Sequence, residues 1–127
     1  MAYWLNVFYL IGLPYETPEM FLDTVKMHAV LNTNVYHLAV FYPYKNTIFH
    51  TLCEKEGWIT DKKIPDYLHE SILDQPSFSN KQIKWFINNF DLLADMYRSN
   101  LPESKIRQHI PDYVIKGTSK KICNTVR

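Results

Sequence analysis

Glycine is scarce in this chain. It occurs three times in 127 residues, and the spacing leaves no Gly-x-Gly-x-x-Gly fingerprint, no Walker loop and no nucleophile elbow. Cysteine is scarcer. Cys53 and Cys123 stand far apart, so there is neither a zinc knuckle nor a cysteine cluster, and both read as ordinary thiols. The five histidines, His28, His37, His50, His69 and His109, show no His-Glu-x-x-His or other close ligand spacing. By motif, no complete reaction centre is encoded.

Net charge and long apolar runs are lacking too. A formal charge of +1 gives no electrostatic case for a nucleic-acid partner. The lysines and arginines between Lys84 and Arg127 are spread out, as on a solvated surface. Each apolar run is interrupted by polar residues before it reaches the length of a membrane span. The apolar start has no basic n-region and no small-residue cleavage site, which predicts no signal peptide and a cytoplasmic protein. What is abundant is core material: 46% of the residues are hydrophobic and 15% aromatic, enough for one core and too much for a disordered chain. There is no internal repeat.

Leu5 to Ile11 is an apolar run ending at Gly12, which reads as a strand. After a turn, Thr17 is suited to N-cap a helix, Pro18 to its first position and Glu19 to its first turn, where negative charge opposes the helix dipole. Leu22, Val25 and Ala29 share a face, so a helix is predicted from Pro18 to about Leu31, broken by Asn32, Thr33 and Asn34. Val35 to Tyr42 is almost continuously apolar, the pattern of a parallel strand covered on both faces, with His37 read as a hydrogen-bonded core residue. These elements make one βαβ unit. A short helix from Ile48 to Glu56 follows, capped by Thr47 and closed by Gly57.

Two parallel strands and one crossover helix cannot close a core, and no third convincing strand follows. The sheet therefore needs partner strands from elsewhere, either from a larger domain or from a second copy pairing its strand edges. Downstream, Trp58 to Phe78, with Pro65 and Pro76, reads as a connector folded against something. Ser79 and Gln82 form a capping-box pattern, and Ile83, Phe86, Ile87, Phe90, Ala94 and Tyr97 recur at helical spacing. Glu103 to Arg127 reads as a polar tail. The fold class is α/β, one βαβ unit with a helical extension.

The two strand-to-helix loops open on the same edge of the sheet and could wall one pocket. Leu10-Ile-Gly-Leu-Pro-Tyr-Glu-Thr-Pro-Glu19, followed one helix later by Val40-Phe-Tyr-Pro-Tyr-Lys-Asn-Thr47, resembles the later part of the radical S-adenosylmethionine (SAM) barrel. The closest group is the cobalamin-binding-domain-containing radical SAM proteins. There a Gly-Leu-Pro-Gly-Glu-Thr-like turn ends one strand and a Pro-x-Pro-Gly-Thr-like turn ends the next. Cys53-Glu-Lys-Glu-Gly-Trp58 and Ser71-Ile-Leu-Asp-Gln-Pro-Ser-Phe-Ser79 look like the extension that follows the barrel, so the resemblance runs from about Leu5 to Pro102. This chain departs from it in carrying Tyr15 where glycine is frequent, Lys45-Asn46 where Pro-Gly is frequent, and Phe8 where a glycine often occurs.

The resemblance implies a C-terminal fragment of a partial, TIM-barrel-like (β/α)6 barrel, with the two strands as the fifth and sixth. Residues 1–57 would form incomplete barrel units, and 58–127 the connector, long helix and polar tail. It implies SAM and a [4Fe-4S] cluster as cofactors, with cobalamin as a further cofactor of that group. The cluster is held in that family by a Cys-x-x-x-Cys-x-x-Cys loop after the first barrel strand, which this chain lacks. The implied partner is therefore an upstream polypeptide or N-terminal barrel half. By carry-over, Leu10 and Gly12 lie near adenine, Glu16 lies on the loop beyond, and the backbone around Phe41, Tyr42 and Pro43 contacts adenine from the next strand. Two other readings stay open: a non-enzymatic α/β binding or assembly module, and an unrelated α/β nucleotide-binding domain, against which the missing glycine-rich phosphate loop counts.

Overall fold

The computed structural model of the chain describes residues 5–31, 33, 35–60 and 70–115. Asn32, Asn34, Pro65, His69 and Cys123 of the sequence reading lie outside the described residues. The order is β1 (Asn6–Ile11), α1 (Pro18–Val30), β2 (Val35–Val40), α2 (Ile48–Lys55), α3 (Asn80–Arg98) and α4 (Glu103–Gln108). The two strands pair in parallel, Phe8 opposite His37 and Leu10 opposite Ala39. Among the described residues they form the whole sheet, so each keeps one outer edge unpaired.

The predicted helix starts form for the expected reasons. The Thr17 hydroxyl accepts from the Met20 N–H at 3.2 Å and the Thr47 hydroxyl from the His50 N–H at 3.2 Å. Ser79 and Gln82 complete a reciprocal capping box, which satisfies two otherwise orphaned N–H groups at the start of the 19-residue α3. Gly57 closes α2 in the left-handed region, φ +73°, and the Trp58 N–H returns to the Cys53 carbonyl at 3.0 Å.

One core holds β1, β2, α1, α3 and α4 together. Tyr9, Ile11 and Val40 on the sheet, Phe21, Leu22 and Val25 on α1, and Ile83, Phe86, Phe90 and Ala94 on α3 are all buried in it. Alternation along a strand sends every second side chain to the opposite face, and that face is bare: Phe8 is 75% and Leu10 48% exposed. Val35 and His37 are exposed on β2 as well. The expectation of a strand covered on both faces, with His37 in the core, is therefore corrected. His37 lies flat against Phe8, ring centroids 4.7 Å apart, on the face that α1 and α3 do not reach.

The polar-tail expectation is corrected as well for residues 103–115. Ile106, Ile110, Val114 and Ile115 are buried in the main core, where α4 and the turn after it pack beside α3. Between them, Gln108, His109, Asp112 and Tyr113 are exposed, while Arg107 is only 16% exposed and pairs with Glu19. The described parts of the connector, residues 58–60 and 70–78, pack back on the fold. Ile59 and Leu73 form an isolated antiparallel bridge, and Phe41, Cys53 and Leu73 make a second, smaller cluster with Leu13, Trp58 and Ile59.

Candidate functional site

Both strands end at the same edge, where the Phe41 N–H donates to the Ile11 carbonyl at 2.9 Å and joins the starts of the two loops. The first loop begins at Gly12, whose φ of +86° suits glycine. A Cβ there would stand 3.0 Å from Ile83 Cδ1, so the site needs glycine for both conformation and space. Glu16 does not extend into solvent at the rim. It is 8% exposed and its Oε1 accepts from the Gly12 N–H at 2.8 Å. Burial pushes its carboxyl above the usual carboxylate range, and hydrogen bonds from the Gly12 and Leu13 backbone oppose that shift.

Tyr15 sits at φ +67° and Asn46, in the second loop, at φ +70°. Left-handed backbone is ordinary for asparagine and uncommon for tyrosine. The Tyr15 ring is half exposed and meets Trp58 edge-on, centroids 4.9 Å apart. In the second loop Phe41 and Pro43 are buried and Tyr42 is half-buried. Phe41 packs edge-on against Phe49, and Tyr42 against Tyr44. The rim is thus aromatic and uncharged apart from the inward-facing Glu16 and the exposed Lys45.

Of the six residues that the resemblance implies for the SAM pocket, Gly12 and Glu16 are hydrogen-bonded to each other, Leu10 is on the bare sheet face, and Phe41, Tyr42 and Pro43 follow β2 on the same edge. Two clefts lie elsewhere. One of about 290 Å³ sits between the starts of α1 and α3, lined by Thr17, Pro76 and Gln82 among others. The other, about 460 Å³, lies at the far end of α1 against Tyr97 and Arg98. Neither includes any of the six. Among the described residues no group of three or more His, Cys, Asp or Glu could hold a metal ion. Cys53 is buried, and desolvation pushes its thiol above the ordinary value.

Gln75 is the residue that sequence reasoning missed. It is 2% exposed, and its amide reaches back 60 residues to the first loop. Its Oε1 accepts from the Tyr15 N–H at 2.9 Å, and its Nε2 donates to the Leu13 carbonyl at 3.0 Å and the Gly12 carbonyl at 3.3 Å. No local pattern marks it, because its partners are distant in sequence.

The fold is mixed α/β, with a small two-stranded parallel sheet and four helices among the described residues. Among the described residues no helix is long and apolar enough to cross a membrane. No family model matches the chain, and comparisons with curated proteins and with solved structures find no match.

Proposed function

We propose that this chain is the C-terminal portion of a radical SAM enzyme of the cobalamin-binding type, supplying two strands of a partial (β/α)6 barrel and the nucleoside side of the SAM pocket. One observation carries the reading. Tyr15 and Asn46 occupy the two positions where the resembling turns have glycine, and both adopt the left-handed backbone that glycine favours, φ +67° and +70°. A turn that keeps the glycine shape after losing the glycine points to an inherited loop geometry, since a tyrosine there costs about 1–2 kcal/mol.

The bare face of the sheet supports the same reading. In a barrel of parallel strands the face away from the helices lines the interior, and here that face carries Phe8, Leu10 and His37 with no Asp, Glu, Lys or Arg among its strand residues. An apolar wall of this kind suits a nucleoside. The cluster is a different matter: Cys53 stands alone in a hydrophobic cluster, and the described residues do not fit [4Fe-4S] ligation. The cluster cysteines would come from an N-terminal barrel half or an upstream polypeptide, with cobalamin, where used, bound outside these loops. The chain alone would be inactive, and a reducing cytoplasm fits its chemistry.

The closed hydrogen bonding of the first loop favours a second reading, a non-enzymatic binding or assembly module that keeps the βα loops as scaffold. A test separates the two. The DNA preceding the Met1 codon is sequenced in every frame for a Cys-x-x-x-Cys-x-x-Cys loop, and any such polypeptide is co-expressed with this chain and reconstituted anaerobically with iron and sulfide. Four irons per complex and SAM cleavage to 5′-deoxyadenosine, with neither from the chain alone, is the expected result. Absence of such a coding segment, or a complex that never cleaves SAM, supports the module instead.

A further inference from the structure

Three N–H groups and three carbonyls of the first loop have partners in the loop itself or in residues 75 and 77. The Gly12 N–H is taken by Glu16 and the Glu16 N–H by the Leu13 carbonyl at 3.0 Å. The Tyr15 N–H and the Gly12 and Leu13 carbonyls are taken by Gln75. The Glu16 carbonyl accepts from the Ser77 hydroxyl at 2.9 Å. Loops that bind phosphate at the carboxyl ends of strands do the opposite: they leave several N–H groups free and convergent. Here those donors are occupied, and a buried carboxylate lies behind them.

We infer that Gln75 is the positioning residue of this loop, a clamp that holds Gly12–Glu16 closed with its N–H donors occupied, so that the turn does not bind phosphate. A single primary amide is the suitable group, because it accepts from one N–H and donates to two carbonyls at once. Alternatives fail on chemistry. A carboxylate would face the Gly12 and Leu13 carbonyl oxygens without a donor. An aliphatic side chain would leave the buried Gly12 carbonyl and the part-buried Tyr15 N–H and Leu13 carbonyl without this partner. The clamp also explains how Tyr15 is kept in a left-handed backbone it does not favour. Its position after the isolated Ile59–Leu73 bridge ties the rim to the segment leading into α3. The clamp does not rest on the function proposed above.

The test is amide hydrogen exchange by NMR on the full chain and on Gln75→Ala and Gln75→Met, the second keeping most of the side-chain volume. In the unaltered chain the Tyr15 amide is expected to be protected. In both variants its exchange rises about tenfold or more, as loss of one hydrogen bond implies, while the Phe90 amide in α3 is unchanged. The Trp58 indole resonance, which feels the Tyr15 ring, shifts in both. Sodium pyrophosphate at millimolar concentration leaves the Gly12 and Tyr15 amide signals of the unaltered chain in place. An unprotected Tyr15 amide in the unaltered chain, equal acceleration at Tyr15 and Phe90, or a saturable pyrophosphate shift at Gly12 would each overturn the inference. No nucleoside enters these measurements, so they stand or fall apart from the SAM-cleavage assay.

Discussion

The Tyr9 hydroxyl and His28 Nδ1 lie 2.9 Å apart beneath the sheet, joining β1 to α1 by a buried hydrogen bond. His28 also stacks on Phe90, ring centroids 5.0 Å apart, and is 2% exposed. Burial holds its pKa below the ordinary 6.5, the Arg98 charge adds to the shift, and Asp91 and Asp95 oppose it. A histidine with a depressed folded pKa binds fewer protons folded than unfolded. Stability is therefore greatest above 6.5 and declines as pH falls from there towards the folded value. Urea midpoints measured from about pH 8 down to about pH 5 are expected to fall for the native chain and to fall less for His28→Phe. An equal fall in both would assign the pH dependence elsewhere.

Arg107 and Glu19 are 88 residues apart in sequence and paired in two places, at 2.6 and 2.9 Å. The pair fastens α4 to the first turn of α1. The Arg107 hydrogen bond is the main cause that holds the Glu19 carboxyl below 4.5, with burial opposing it. Because Glu19 is half exposed, Arg107→Ala is expected to cost only about 1 kcal/mol near neutral pH. A depressed carboxylate contributes stability above its unfolded pKa and loses it as pH falls through the folded one. The gap between native and Arg107→Ala chains in chemical denaturation should accordingly narrow well below pH 4.5; a gap that holds constant contradicts this origin.

Gly12→Ala combines an unfavourable φ of +86° with a Cβ 3.0 Å from Ile83 Cδ1. The backbone part is about 1–2 kcal/mol, and crowding adds to it. Ile83→Val removes that methyl, so the double variant is expected to recover the crowding part and not the backbone part. Denaturation of both singles and the double gives the coupling directly. Strict additivity would show that Ile83 already yields without cost.

Ile106 is fully buried and Ile48 is 80% exposed. Ile106→Ala is expected to lower stability by about 2–4 kcal/mol, whereas Ile48→Ala stays within about 0.5 kcal/mol. A melting-temperature series with both checks whether residues 103–115 belong to the folded unit. An Ile106→Ala chain that melts with the native one would detach α4 from the core.

Most of the local structure was legible. Thr17, Thr47 and the Ser79–Gln82 pair announced their helices because capping acts within four residues. The two strands announced themselves by composition, and their parallel pairing followed from the intervening helix. The stripe from Ile83 to Tyr97 gave the packing face of α3. Glu16 was legible as a loop residue, but its inward turn onto Gly12 was not, since no sequence signal marks the Gly12 N–H as its partner.

Three features escaped the sequence for one physical reason. The exposure of His37, the burial of Ile106, Ile110, Val114 and Ile115 and the grip of Gln75 on Tyr15 depend on which distant surfaces meet. The apolar run of β2 was the same whether one face or two were covered, and the number of layers packed on the sheet decided it. The sequence by itself determined the presence of the two strands and the starts of α1, α2 and α3, through caps, spacing and turn residues acting over a few positions, but not α4, whose start has no side-chain cap. Only the tertiary structure decided which face stays bare and which side chain closes the loop, because those outcomes rest on contacts across some sixty residues that no local pattern encodes.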